Sequence, residues 1–426
     1  VRRYSVVAEE SPAEASFKVS APPWVTISVD GAITPSGTLR RVADLEHGDV
    51  VTIEAQARAP GTPERTVYEI LYLPPDFPTL LVTTLTHEAS TEPLYVNLSG
   101  QRSFYVAILD NHGVPLYYRK ESQPVFDFKW HESTGERSYL RQTGTRNRWN
   151  RVDAEAVILD ADFRETERVT TTGLSHTDVH DLLLTRNREL VLIAYEGALR
   201  DLTAFGLRTS ELVEESVVQV LDRATRQVMF QWNSWADVPF DDQIGLPLRR
   251  EYAHVNSVFE DRDGGLIVSA RGTSQALKIS RPSGQVVWKL GGKSNQFTFR
   301  DDPFPHLCGQ HAVSRLPNGN LLVFDSGQNC WPVIPHRGQR TRVVEYRLDE
   351  DRREATLVWS YEQPGAYSIA QGSAQRLANG NTLIGWGSGP GILATEVNAR
   401  GEKVFEIVAR DSSGPVVSYR VARYPH

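Results

Sequence analysis

Sulfur is scarce in this chain. Two cysteines and a single methionine occur among 426 residues, against nine Trp, fifteen Tyr, thirty-one Gly and twenty-four Pro. That balance predicts many short strands and tight turns. No apolar run approaches the roughly 20 residues a helical membrane span requires, so no span is expected. Positive charge is short as well: the formal net charge is -7, which argues against nucleic acid as the main partner. A phosphate-cradling loop is missing. Residues 290–294 (LGGKS) echo its end but lack the upstream glycine, and read better as the end of a strand. The pairs Asp241-Asp242 and Asp301-Asp302 lack EF-hand spacing and read as solvated loop charges. The chain starts at Val1, which a removed signal peptide or a simple boundary of the sequence would equally explain.

What is present is repetition. The reference stretch is residues 304–327, FPHLCGQHAVSRLPNGNLLVFDSG, with Leu-Pro-Asn-Gly-Asn between two apolar runs. Asn318-Gly319 suits a two-residue turn, with strands over about 312–316 and 321–324 and His311 at the open end. Similar units recur every 50 to 75 residues or so from residue 94 onward, six in all. Four strands per unit is the pattern of a propeller blade, so residues 91–426 are expected to form a six-bladed β-propeller. Residues 416–426 would complete the first blade and latch the ring. Residues 1–90 alternate apolar and polar positions between Pro- and Gly-rich breaks, the pattern of a small N-terminal β-sandwich. The expected class is all-β, and residues 73–85 read as linker and lead-in strand. Trp232, Trp288 and Trp359 close equivalent outer strands and read as blade packing.

The two cysteines flank the reference hairpin. With Asn318-Gly319 as the turn, Cys308 and Cys330 fall one step off register across its open end. A disulfide there is geometrically reasonable. A bridge favours a periplasmic or secreted protein, and two buried thiols a reducing compartment.

In a propeller the first strand of each blade lines the centre, so residues just before those strands converge on one mouth. The converging set is His180, His254, His311 and, for the last unit, Ser373 or Gln375, with Arg271 reaching in from a second strand. Two chemical readings suit such a cluster. In one, a histidine is nucleophile or general base while the others and Arg271 bind a developing anion. In the other, three histidines hold a divalent metal, as in a metal-dependent lyase. A propeller that binds a ligand without catalysis is a third reading.

The ordered series HDLLLTRNRELVLIAYEG, YAHVNSVFEDRDGGLIVSAR, VVWKLGG and QHAVSRLPNGNLLVFDSG resembles the arylsulfotransferase family, the PAPS-independent aryl-sulfate sulfotransferases, over about residues 90–426. The resemblance implies a six-bladed propeller after a small β domain. It also implies transfer of a sulfuryl group from an aryl sulfate donor to a phenolic acceptor through a sulfohistidine, with no cofactor. By motif, His311 matches the nucleophile, and His254, Arg271 and His180 match the residues that bind sulfate oxygens and assist proton transfer. Asn256 lies two residues from His254, on the same strand face, suited to contact the sulfate or orient a histidine. Ser373 and Trp331 are further candidates to meet the substrate, Trp331 by stacking on its ring. His306 reads as a rim residue, and His176 stands beside His180 as an alternative for its role. The arginine-rich residues 141–151 form a loop suited equally to attracting an anion or to solvation.

Overall fold

A computed structural model describes residues 1–57, 64–101, 103–146, 151–244, 251–328, 339–389 and 391–425. The fold is all-β. Among the described residues one short α-helix, Ser234–Asp237, and three 3-10 turns interrupt the strands.

From residue 94 the chain forms six successive antiparallel sheets among the described residues. The first contains Leu94–Ser99, Phe104–Leu109 and Pro115–Glu121, and takes Val421–Arg423 from the far end of the chain beside Leu94–Ser99. The second runs Val125–Trp130, Arg137–Arg146, Val152–Leu159, Glu165–Val169, and the third Leu182–Leu184, Glu189–Arg200, Glu211–Asp222, Val228–Asn233. The fourth is Val255–Glu260, Leu266–Ala270, Gln275–Ile279, Val286–Gly291. The fifth is His311–Arg315, Leu321–Asp325, Arg342–Asp349, Glu354–Glu362, edged in parallel by Thr298–Arg300. The sixth is Ser373–Arg376, Thr382–Gly385, Ile392–Val397, Lys403–Asp411. Thr79–Leu85 edges this last sheet by pairing with Lys403–Asp411, rather than leading into the first.

The burial pattern follows from stacking. Middle strands such as Leu266–Ala270 and Gln275–Ile279 are buried at every residue, because a neighbouring sheet covers each face. The outer strand Glu354–Glu362 alternates. Each pair of consecutive sheets shares an apolar core: Tyr95 and Val106 meet Phe128 and Tyr139, and Val218 meets Val268. The sixth sheet meets the first through Leu383, Phe405, Val96 and Ala107, so the series closes on itself. Each fully buried Leu or Val in these cores is worth roughly 1.5–3 kcal/mol. The closure carries a buried ion pair too, Arg423 to Glu396 at 3.1 Å.

Ahead of the ring lie two further sheets. One orders Arg2–Val7, Arg65–Leu73, Val50–Ala57, Val25–Val29 and Ala32–Ile33, and the other pairs Ala13–Lys18 with Leu39–Leu45. Ala15 and Leu45 from the second pack on Ile27, Val29, Val51 and Ile53 from the first.

The inner hairpins of the last four sheets share one turn, and it is not the two-residue turn expected at Asn318-Gly319. Leu316 donates its N–H to Asn320 O at 2.8 Å, and Gly319 donates to Leu316 O at 2.9 Å. Gly319 has φ 95°, whereas Asn318 is not among the residues with positive φ. A two-residue type I′ turn needs positive φ at both centres, so the loop is instead a type I turn with Pro317 in its favoured second place, closed by a glycine bulge. The same bonds recur at Leu377, Gly380 and Asn381. Residues 185–189 make them as well, with Arg188 at φ 61° where the others have glycine. The register is consequently one step shorter than the sequence suggested, pairing Arg315 with Leu321.

Candidate active site

Three inner strands bring a histidine to the same end. His180 precedes Leu182–Leu184, His254 precedes Val255–Glu260, and His311 opens His311–Arg315. The His180 and His254 rings stand 5.1 Å apart at 76°. Tyr195 lies 5.7 Å from His254, and Tyr419, from the closing segment of the chain, lies 5.6 Å from His180. Ala253 and His254 have φ of 64° and 48°, a left-handed entry that turns the imidazole toward the middle. Their carbonyls are both taken: Arg271 N–H donates to His254 O and Gly272 N–H to Ala253 O, each at 2.9 Å. That pair of bonds places Arg271 directly beside His254. The Arg271 guanidinium also donates to Gln328.

Two of the imidazoles are held by carboxylates. His180 Nδ1 meets Asp178, whose carboxylate also accepts the His180 backbone N–H at 3.0 Å. His254 Nδ1 meets Glu251. Glu251 is in turn paired with Arg151 at 3.1 Å, and Arg151 reaches Glu214 at 2.9 Å and lies over the Tyr195 ring. Burial pulls the His254 imidazole below its ordinary value; Glu251 opposes that fall, and His180 and Arg271 add to it. Burial works against ionised Glu251, yet His254 and Arg151 hold its carboxyl far below the usual range.

His311 is set differently. Its Nδ1 lies 3.2 Å from Ser326 Oγ, and its Nε2 accepts the Gln371 backbone N–H at 3.0 Å. Burial first, then Arg271, His254, His180 and Arg420, hold this imidazole well below its ordinary pKa, so the ring is neutral at pH 7. A neutral, desolvated imidazole beside an arginine and two carboxylate-supported imidazoles is an arrangement for attacking an anionic group.

A family model described as arylsulfotransferase (ASST) matches residues 154–410, more than half of the chain. The chain belongs to the arylsulfotransferase family. The arylsulfate sulfotransferase AssT of Escherichia coli O6:H1 is 28% identical over 186 residues, covering 35% of this chain and 30% of that protein. AssT of Lelliottia amnigena is 27% identical over 159 residues, covering 31% and 26%. The matched part therefore spans less than a third of either relative's length. Among solved structures, a protein of unknown function from Bacteroides caccae gives a TM-score of 0.47 at 13% identity, over 78% of this chain and 98% of that one. That likeness is too loose to build on.

In this arylsulfotransferase-family chain the remaining candidate residues take varied places. Asn256 is buried and donates its side-chain N–H to Gln310 O at 3.0 Å, so it orients the segment entering His311. Ser373 is a correction. Its hydroxyl donates to Val421 O at 3.1 Å and accepts Val421 N–H at 3.0 Å, so it ties the closing strand instead of facing the histidines. His176 accepts the Tyr195 N–H on Nδ1 at 3.3 Å and donates from Nε2 to Val152 O at 3.1 Å. Of the two, His180 is the one whose ring stands against His254, and His176 packs on Tyr195 instead. His306 packs on Phe299, 5.0 Å between rings, while its carbonyl accepts from Arg342. Cys308 is buried and is not a free thiol, whereas Cys330 and Trp331 lie outside the described residues. Against the solvated reading of Asp242 and Asp302, Asp242 is buried and the carboxylate of half-buried Asp302 is fully covered. Asp242 accepts from Gln275 and Ser294, and Asp302 pairs with Arg342 at 2.7 Å. Arg342 also pairs with Asp325 at 3.0 Å, and together they brace the loop that leads to Cys308 and His311. The arginine-rich stretch is not all loop: residues 141–146 belong to the strand Arg137–Arg146, where Arg141 pairs with Glu121 at 2.7 Å and also with Glu155.

A cavity of about 1070 Å³ is lined by the inner strands and the turns that follow them, from Asp127, Asp181, Ala312 and Arg420 outward to Arg186 and Pro317. Four charges lie at its inner end. Lys129 pairs with Asp127 at 2.7 Å and with Asp181, and Arg420 spans the same two carboxylates at 2.9 and 3.1 Å. None of His180, His254 and His311 lines it, although its inner end begins at Asp181 and Ala312, the residues that follow His180 and His311. Asp178, Glu251, Ser326, Gln371 and Tyr419 are contacts of these histidines that the sequence reading missed, whereas Arg151 ends the arginine-rich stretch 141–151 that it singled out. Only Asp178 and Glu251 carried a local signal, two and three residues ahead of their histidines.

Proposed function

We propose that this chain transfers a sulfuryl group from an aryl sulfate to a phenolic acceptor, with His311 as nucleophile, on a six-bladed propeller (residues 91–426) behind a small β-sandwich (residues 1–90). The closed series of sheets and the shared core of the two leading sheets support the architecture. The strand Thr79–Leu85 belongs with the ring by its pairing. The observation that carries the function is His311 itself: buried, neutral, and adjoining Arg271 and two imidazoles that bear carboxylates.

In the first step His311 attacks sulfur through a ring nitrogen as the bond from sulfur to the aryl oxygen breaks. The phenolate leaves with that electron pair and takes a proton from His254 or His180. Arg271 receives the charge spreading over the sulfuryl oxygens. In the second step the acceptor oxygen attacks sulfur, its proton returns to the imidazole, and the N–S bond breaks to restore neutral His311. The metal reading is less well supported, because carboxylates already hold the Nδ1 atoms of His180 and His254. Among the described residues no group of three or more His, Cys, Asp or Glu is placed to hold a metal ion.

The test is p-nitrophenyl sulfate with excess phenol, following nitrophenol release and measuring metal on the same sample. Acceptor-dependent release is expected, falling about 10³-fold or more in His311→Ala together with loss of a sulfate label on histidine. Absence of release, with one equivalent of bound metal, would sink this reading.

A further inference from the structure

The hydrogen bonds of His311 fix which nitrogen carries its proton. A backbone N–H only donates, so Nε2, which accepts from Gln371 at 3.0 Å, has the lone pair. The proton of the neutral ring is then on Nδ1 and is donated to Ser326 Oγ at 3.2 Å. Both clamps hang on one frame. Thr341 Oγ1 donates to Ser326 O at 2.8 Å and accepts the Ser368 N–H at 2.8 Å. The Ser368 hydroxyl donates to Ala370 O at 2.9 Å, directly before Gln371. Ser326 is fully buried, and a Cβ on the next residue, Gly327 (φ 74°), would lie 1.9 Å from Arg340 O, so the backbone there has no freedom to shift.

We propose that Ser326 is a positioning residue, whose hydroxyl holds His311 in the neutral Nδ1–H form and so presents Nε2 as the nitrogen that takes the sulfuryl group. The proposal rests on the reading of His311 as nucleophile. The contrast with the other two histidines gives its chemical sense. Asp178 and Glu251 place a carboxylate on Nδ1 and hold a proton there, which suits an acid. A hydroxyl at the same place leaves the ring neutral and nucleophilic. When Nε2 bonds to sulfur, the amide hydrogen bond from Gln371 is exchanged for the N–S bond, and the ring becomes a sulfated imidazolium that keeps its Nδ1 proton against Ser326. That cationic ring leaves as neutral imidazole in the second step, its electron pair returning to Nε2. A carboxylate in place of Ser326 would hold the Nδ1 proton as Asp178 and Glu251 do, but by stabilising the positive charge of the sulfated ring it would make that ring a poorer leaving group. The charged and titratable groups felt at His311 are Arg271, His254, His180 and Arg420, with no carboxylate among the leading influences on it.

The experiment combines kinetics with ¹⁵N-histidine NMR on the full chain. In the wild type His311 is expected to show a protonated Nδ1 and an unprotonated Nε2. Ser326→Ala should lower kcat about tenfold or more with KM within about twofold, and shift the His311 Nδ1 resonance by removing the acceptor of its proton, while Ser326→Thr restores both. Ser326→Asp should slow acceptor-dependent release more than the first nitrophenol burst, so that sulfated His311 accumulates. A wild-type His311 protonated on Nε2 overturns the proposal whether or not any variant folds. Wild-type kcat in Ser326→Ala also overturns it. If His311→Ala keeps turnover and no sulfohistidine forms, the nucleophile reading itself has failed, which is a separate result.

Discussion

His254 is the residue on which opposing effects are most evenly set. Burial, His180 and Arg271 all favour its neutral form, and Glu251 alone favours the charged one. A group meant to give a proton to a departing phenolate has to be charged part of the time, so the Glu251 carboxylate decides whether His254 can act as an acid. Glu251→Gln keeps an acceptor near Nδ1 but removes the charge. The His254 pKa then drops further, and the fraction protonated at pH 7 shrinks. The expected outcome is a kcat about 10- to 100-fold lower, with the limb of the pH–rate profile that reports the acid moved to lower pH. The fold should persist, since Arg151 keeps Glu214. Stopped-flow rates across pH for both proteins check this, and an unmoved limb would assign the acid to His180.

At the scale of the element, the inner hairpin is the unit that made the chain legible. A short polar turn between two apolar runs recurs as local text, with Asp263-Gly264, Asn318-Gly319 and Asn379-Gly380 at its centre, so the repeat, the strand order and the common end of His180, His254 and His311 could be read directly. The turn type could not be read from Asn318-Gly319 alone, because the loop takes in one more residue, Pro317 here and Ala378 or Arg186 in its counterparts. Ser326 and Gln371 were illegible for another reason: they reach His311 from 15 and 60 residues away, through neighbouring strands rather than through spacing. Asp302 looked solvated because its partner Arg342 lies 40 residues on. The third sheet matched the pattern poorly, for it has Arg188 where its counterparts have glycine, yet it folds the same turn at φ 61°. An exposed arginine held in that conformation costs about 1 kcal/mol or somewhat more. Arg188→Gly is therefore expected to raise stability by about 0.5–1 kcal/mol without changing turnover, since the turn lies at the end of the strand away from His180. Urea unfolding checks it, and a loss of stability would show that the arginine side chain contributes more than its backbone costs.

For the molecule as a whole, the recurring choice is to bury histidine in its neutral form. His131 is pulled to about 3, by burial first and then by Lys129. His254, His306 and His311 are likewise held below their ordinary value, burial leading in each case. In the unfolded chain each returns to about 6.5. Above that pH both states are neutral and the folded protein loses nothing. As pH falls through 6.5 the unfolded chain takes up protons that the folded chain refuses, so stability declines from there toward the folded values. The slope is up to about 1.4 kcal/mol per pH unit for each histidine. Carboxylates held below their usual range, such as Asp178 and Asp302, add their own loss only below about pH 4. Two acid-sensitive windows are therefore expected, with the first opening between pH 6.5 and 5, where carboxylates are still ionised. Urea midpoints at pH 7.5, 6 and 5 should fall steadily in the wild type, and the decline should be shallower in His311→Ala by about one proton's worth. A midpoint flat across that range would mean that these imidazoles accept protons in the folded state, and a charged His311 is no nucleophile.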